Sequence, residues 1–358
     1  MPWTLATLRP LKPADLPEVV ALMQAHLLRE RLPSTNDLAF LAATLVDAPW
    51  ADPAVPSLVA ESESGDIVGF VGRQRRNMRL DGHPMVAAVL SHLVVTPDSR
   101  ARAVGPQLLR NALAGPQELT WSDTATELVA RMWRAMGGWV DHVRACDWML
   151  VLRSGAWTGG TLRAGLRERK LSRGSIPVGA LPVQALGRRV APRAYPDPEP
   201  EVSSRNVTPA ELTEHLTAVD RGTRLSPAYT PAELEGLLAL VTESGGRVRS
   251  RLVQRGERVA GWYVYALRRS LAQVLAVRCG PQEASAVLQA LLADARADGA
   301  AVVSGRHEPN LTDALSERMA VLGFARRAIV HSRHEGAREA LLMGSAALTR
   351  LDGEWWVN

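Results

Sequence analysis

Apolar and polar positions change period repeatedly along this chain, and the changes mark its elements. Residues 4–8 read as a short strand. Pro13, Ala14 and Asp15 then open a helix whose apolar positions Leu16, Val19, Val20, Met23 and Leu27 recur at helical spacing. Two strand-like runs, 57–61 and 67–73, flank the turn Ser64-Gly65-Asp66, a hairpin signal. Residues 85–95 form a long apolar strand. A helix over 104–113, a strand over 118–121, a helix over 124–136 and a strand over 147–152 follow. Strand–helix units interleaved with a hairpin predict a mixed α/β sheet rather than a bundle or a sandwich.

From 153 to about 205 the pattern fades. Gly, Pro and Arg are dense, and Pro196-Asp197-Pro198-Glu199-Pro200 is a stiff, extended spacer. This stretch reads as a linker, placed to donate a strand to the first sheet. Beyond Thr208 the order returns. A helix starts at Pro209, and the runs 248–253 and 259–266 flank Arg255-Gly256-Glu257 as a hairpin. A strand over 271–277, a helix over 284–294, a strand over 300–303, a helix over 313–322 and a strand over 327–331 complete it. The repeat survives an offset test. Leu93-Val94-Val95-Thr96 lies over Leu275-Ala276-Val277-Arg278 at a shift of 182, and Thr126, Trp133 and Gly137 lie over Thr312, Met319 and Gly323 at 186. One four-residue insertion reconciles the two, which points to a duplicated fold. A length of 358 residues suits two domains. Their expected bounds are 1–155 and 206–358, with 156–205 as the linker.

Composition narrows the function classes. With 46% apolar and 22% charged residues, the chain is neither disordered nor collagen-like. No stretch approaches the roughly 18 unbroken apolar residues of a membrane span. Two cysteines, Cys146 and Cys279, cannot build a disulfide framework or a four-ligand zinc site, and no metal is expected. No charged segment followed by an apolar run opens the chain, so the expected location is cytoplasmic. The net charge of +5 is unevenly spread: 153–193 holds nine Lys/Arg against the single acid Glu168, or +8, and the remainder stands at −3. A nucleic-acid partner is therefore not expected, except through that basic linker.

The informative segment is 93–109. A buried strand ends at Thr96-Pro97, and a short loop leads into an amphipathic helix. Such a junction presents free backbone N–H groups at the positive end of a helix dipole, a ready cradle for pyrophosphate. Gly105 lets the backbone approach a phosphate, and Arg100 and Arg102 add charge at its rim. No G-x-G-x-x-G and no Gly-Lys-Ser/Thr occurs, which sets aside the dinucleotide fold and the P-loop.

Arg100-Ala101-Arg102-Ala103-Val104-Gly105 resembles the acyl-CoA loop of the GCN5-related N-acetyltransferase superfamily, Arg/Gln-x-x-Gly-x-Gly/Ala, with Ala103 where the first Gly is usual. The helix that ends Trp133-Arg134-Ala135-Met136-Gly137-Gly138 is similar to that family's Tyr-x-x-x-Gly-Phe helix. The resemblance covers roughly 4–152, and its element order recurs over 207–335. It implies two such domains, each a mostly antiparallel central sheet flanked by helices. It implies acetyl-CoA or another acyl-CoA as co-substrate and transfer to an amine of a small molecule. Cofactor contacts would fall on Leu93, Val94 and Val95, on Arg100, Ala101, Arg102, Ala103, Val104, Gly105 and Pro106, and on Thr126. In the second copy Gln282, Ser285 and Val287 replace Arg100, Ala103 and Gly105, so only the first copy is expected to bind acyl-CoA well.

The transfer needs a base, oxyanion donors and an acid for the thiolate. The family's tyrosine falls at Trp133, which cannot serve as the acid. The four tyrosines, Tyr195, Tyr229, Tyr263 and Tyr265, all lie outside the first domain, so either the thiolate leaves unaided or Tyr263 or Tyr265 reaches across. Ser91 and His92 precede the loop, and strand alternation places one of them in the cleft as base or water holder. Asp123 reads as a helix cap, His307-Glu308 as a loop cap, and Leu351 to Asn358 as an aromatic tail docked on the sheet; since some members of the family it resembles use their C-terminal carboxylate as the base, the resemblance makes Asn358 a further candidate. Two other functions fit the fold expectation: an aminoacyl-tRNA-dependent amide or peptidyl transferase, and a non-catalytic acyl-CoA-binding protein. The retained loop argues for acyl-CoA over tRNA.

Overall fold

A computed structural model of the chain describes residues 6–26, 35–97, 103–153, 199–219, 222–280, 282–324 and 327–354. The first half contains β1 (Thr7–Pro10), α1 (Leu16–His26), α2 (Thr35–Leu45), β2 (Leu58–Glu61), β3 (Ile67–Leu80) and β4 (His83–Val95). It continues with α3 (Val104–Leu113), β5 (Leu119–Ala125), α4 (Glu127–Ala135), β6 (Trp139–Asp141) and β7 (Cys146–Val151). The second half contains β8 (Val202–Asn206), α5 (Pro209–His215), β9 (Leu225–Pro227), α6 (Pro231–Glu243), β10 (Arg247–Arg255), β11 (Arg258–Arg268) and β12 (Leu271–Cys279). After these come α7 (Ala284–Ala297), β13 (Val302–Arg306), α8 (Thr312–Glu317), β14 (Val321–Phe324), β15 (Arg327–Ser332) and α9 (Glu335–Leu342).

Two mixed, mostly antiparallel sheets result, flanked by helices. The first runs β1-β2-β3-β4-β5-β15-β6, with β9 on the far end of β3. The second runs β14-β7-β13-β12-β11-β10-β8. In each, a long hairpin leads to a parallel pair, β4 with β5 and β12 with β13. The β3–β4 hairpin is longer than its apolar pattern suggested, because Asp81 and Gly82, at φ 50° and 84°, make a tight turn that lets both strands run to it.

The halves exchange strands. β7 pairs with β13 and β14 in the second sheet, and β15 pairs with β5 and β6 in the first. Trp148 and Leu150 of β7 join the second core, while Ile329 and Val330 of β15 join the first. Boundaries at 155 and 206 divide the sequence but not the sheets. Two further expectations need correction. Residues 202–206, read as the end of the linker, form an edge strand of the second sheet, not the first. The helix expected over 313–322 stops at Glu317; Met319 turns left-handed at φ 49°, and residues 321–324 extend along β7. Tertiary pairing overrides local helical preference there.

Further contacts bind the halves. Trp50, after α2, is buried with Leu234, Leu237 and Leu238 of α6, and the Arg76 guanidinium lies 5.0 Å from its ring centre. Asn77 donates to Glu233 at 2.7 Å. Arg306 of β13 pairs with Asp123 of β5 at 2.7 Å, both nearly inaccessible to solvent.

Candidate functional site

The ladder between β4 and β5 is short. It covers Ala87↔Leu119 to Val89↔Trp121, yet the strands continue to Val95 and Ala125. Past Val89 they part, and among the described residues no strand pairs with that edge of β4. The same stretch bulges on its other edge. Phe70 faces Val94 and Gly72 faces Ser91, so His92 and Leu93 together oppose Val71 alone. His92 takes φ 54°, an uncommon conformation for a side-chain-bearing residue and one that re-aims the strand. Ser91 and His92 both border one cavity, and Ser91 Oγ turns toward Gly72 and Leu45, 2.6 Å from where a Cβ on Gly72 would stand.

That cavity, of about 110 Å³, lies between the parted strands. Val71, Leu90, Leu109, Val129 and Trp133 form its apolar side. Ser91, His92, Ser122, Thr124 and Glu354 form the polar side, and Leu93, Ala125 and Thr126 complete it. Thr126 also caps α4, accepting from the Val129 N–H at 3.3 Å. The helix therefore starts after Thr126, β5 reaches Ala125, and Asp123 is an interior strand residue paired with Arg306 rather than a cap. Val94 packs on the opposite face with Phe70 and α1.

Arg100, Ala101 and Arg102 lie outside the described residues. Ala103 is the N-cap of α3, its side chain makes no cap bond, and no acid sits in the first turn. Gly105 is buried, and among the described residues outside its own helix a Cβ built on it would meet Val95, at 3.8 Å. Val104 is buried against Gly69, and Pro106 sits in the first turn, where its missing N–H leaves no bond unmade. The second copy differs. Val287 is fully buried, and a Cβ on Gly261 would stand 2.6 Å from it.

Glu354 was not foreseen. Its carboxylate Oε2 accepts from Ser122 Oγ and Asp123 N–H, both at 2.6 Å, and from Thr124 N–H at 3.2 Å; Oε1 accepts from Thr124 Oγ1 at 2.9 Å. These donors belong to the end of β5 that has left β4. Asp123 in turn accepts the Glu354 N–H at 3.1 Å. Gly353 is required for this fit, since a Cβ there would overlap Asp123 Oδ2 at 1.6 Å. The sequence signal was Asp352-Gly353-Glu354, masked by the adjacent tryptophans. Burial, then the nearby Asp123 charge, pushes the Glu354 carboxyl up to about 7. Burial pushes His92 down to about 4, so its ring is neutral at pH 7. Among the described residues, Nδ1 of His92 and Oγ of Ser91 have no hydrogen-bond partner.

Tyr263 and Tyr265 do not reach this cavity. Both are buried in the second core, donating to Asp294 and to Asp298, and burial raises both phenols far from any role as acid near neutrality. His307 shares a hydrogen bond with Thr312 at 3.1 Å, as expected of a loop cap. Glu308 is buried, its carboxyl pushed up to about 7 by burial. Residues 355–358, with the tail tryptophans and Asn358, lie outside the described residues, as does the basic segment from 154. Among the described residues no helix is long and apolar enough to cross a membrane, and no cluster of three His, Cys, Asp or Glu is set to hold a metal.

No protein-family model matches the chain, and no curated protein matches it. Solved structures do. A conserved protein of Enterococcus faecalis described as a probable N-acyltransferase is similar at TM-score 0.59 and 9% identity, over 92% of this chain and 73% of that one. A GCN5-related N-acetyltransferase of Kribbella flavida is similar at 0.55 and 15%, over 91% and 70%. The fold is that of the GCN5-related N-acetyltransferases. Saccharomyces cerevisiae N-myristoyltransferase, solved with bound myristoyl-CoA, is also similar, at TM-score 0.53 and 10% identity over 91% of this chain and 77% of that one. In this acetyltransferase fold the parted strands, the bulge and α3 occur together in the first half.

Proposed function

We propose that the chain is an acyl-CoA-dependent N-acyltransferase, taking acetyl-CoA as donor and the amine of a small molecule as acceptor. The observation that carries this reading is the parting of β4 from β5 beside the N-terminus of α3. The unpaired edge of β4 can hydrogen-bond an extended pantetheine arm. The uncapped N-terminus of α3, with Arg100 and Arg102, would hold the pyrophosphate. A backbone N–H at Leu93, Val94 or Val95, re-aimed by the bulge, would meet the carbonyl oxygen as it becomes an oxyanion, where one donor is worth about 3–4 kcal/mol.

The reaction is direct. The amine nitrogen attacks the thioester carbon, the C–N bond forms, and the C–S bond breaks with its electron pair on sulfur. Trp133 supplies no acidic proton, so the sulfur departs as thiolate, a weak enough base to leave unaided, and takes its proton from solvent afterwards. Trp133, Val129 and Leu109 wall the small cavity, which favours a short acyl group over a long one.

Calorimetry with acetyl-CoA and a thiol-release assay over an amine panel test the reading. Binding with release on at least one amine is expected. Absence of acetyl-CoA binding would overturn it, and binding without release on any amine would favour an acyl-CoA-binding role.

A further inference from the structure

We propose that Glu354, brought into the cavity of the first half by the segment that follows the second half, is the general base that takes the proton of the attacking amine. The inference rests on the proposed acyl transfer and names a group for it. Among the described residues lining the cavity only two titrate, His92 and Glu354. They stand on different walls: His92 belongs to β4, whereas Glu354 is seated on the departing end of β5. An acyl group held along β4 and an amine approaching it would meet the Glu354 side last.

The carboxylate is held but not saturated. Oε2 accepts three donors, while Oε1 accepts only Thr124 Oγ1, which leaves a lone pair on Oε1. As nitrogen attacks, its proton passes to Oε1 and then to water. The thiolate takes its proton from solvent, so protons balance. A carboxyl near 7 matches this task, whereas a ring near 4 is too weak a base to relieve an aminium nitrogen. Ser91 and His92 remain suited to holding a water. The charged groups facing Glu354 are Asp123 on β5, Arg306 on β13, and Arg144, Asp147 and Arg350, which share a small polar pocket with it. The segment is anchored on both sheets: the Leu351 N–H donates to the Leu275 carbonyl of β12 at 2.8 Å, and Glu354 reaches β5. The second half, whose own cradle is closed, thus delivers the base of the first.

The test uses the full chain, acetyl-CoA and whichever amine of the panel gives the fastest thiol release. Glu354→Gln should lower kcat by about 10²–10⁴-fold, leave the calorimetric acetyl-CoA affinity within a factor of about two, and abolish the rise of kcat with pH centred near 7. Glu354→Asp should keep that rise at a reduced kcat. Independently of any amine, the infrared carboxyl absorption of the wild-type complex with acetyl-CoA that titrates near pH 7 should lose one component in Glu354→Gln and keep the one that Glu308→Gln removes. A Gln variant that keeps both kcat and the pH rise overturns the proposal, as does a carboxyl absorption near pH 7 that Glu354→Gln leaves unchanged. If wild type fails to bind acetyl-CoA, the transferase reading fails instead. If Glu354→Gln melts early, the Asp variant decides: a pH rise centred where wild type has it and kcat unchanged would also overturn the assignment.

Discussion

The two parallel strand pairs of this protein start alike and end differently. β4 and β5 separate after three paired positions and leave a cavity. β12 and β13 also separate after three, at Gln273↔Ser304, but the space is filled. Trp148 lies over Gly305, where a Cβ would stand 2.8 Å from the indole, and donates its N–H to the Arg306 carbonyl at 2.9 Å. Leu351 bonds the Leu275 carbonyl, and Val287 presses on Gly261. Parting of the strands is thus a property of the fold. Whether it makes a site depends on a few side chains: Gly105 or Val287 on the following helix, and whichever strand comes to lie alongside. The filled half contributes support and the tail; the open half keeps the cavity.

The largest expected effect lies in that support. Arg306 pairs with Asp123, and its NH1 also donates to the Leu348 and Thr349 carbonyls at 3.3 Å each. Arg306→Met would leave Asp123 charged, buried and unmatched, at a loss of about 3–5 kcal/mol in urea unfolding. A variant as stable as wild type would show that the second half does not brace the first.

Reciprocal substitutions on the two helices come next. Val287→Gly should destabilise the chain by about 3 kcal/mol, since it empties a fully buried site and puts glycine in a helix. Gly105→Val should shift the melting temperature less than Val287→Gly does, because Val95 at 3.8 Å is the near neighbour of a Cβ there among the described residues outside its own helix, yet lower acetyl-CoA affinity at least tenfold in calorimetry. Unchanged affinity would refute the cradle.

Much of this contrast was readable in the sequence. The helix over 104–113 was read to its ends because its apolar stripe is regular, and the glycine-to-valine change marked the open and closed copies. The exchange of β7 and β15 was not readable, since strand periodicity says which face is buried but not which sheet a strand joins. The bulge at His92 was missed because it depends on a left-handed histidine, a conformation with no compositional signal. Glu354 was missed because its role comes from contacts more than 200 positions away, with Ser122, Asp123 and Thr124.

The smallest effect separates the two buried glutamates. Glu308 follows β13 in the filled half, and Glu354 reaches β5 in the open one; burial pushes both carboxyls from an ordinary 4.5 up to about 7. A carboxyl raised in the folded state binds its proton more tightly there than in the unfolded chain. Its contribution to stability is complete below about pH 4.5 and is lost as pH rises through about 7. Glu308→Gln removes that loss. The variant should match wild type near pH 4.5 and exceed it at pH 8 by no more than about 3 kcal/mol, measured as thermal melts across that range. It should also keep the rise of kcat with pH, because Glu308 does not line the cavity. If Glu308→Gln flattened the activity profile as Glu354→Gln is expected to, the pH dependence would belong to folding stability and not to a base at the open pair of strands.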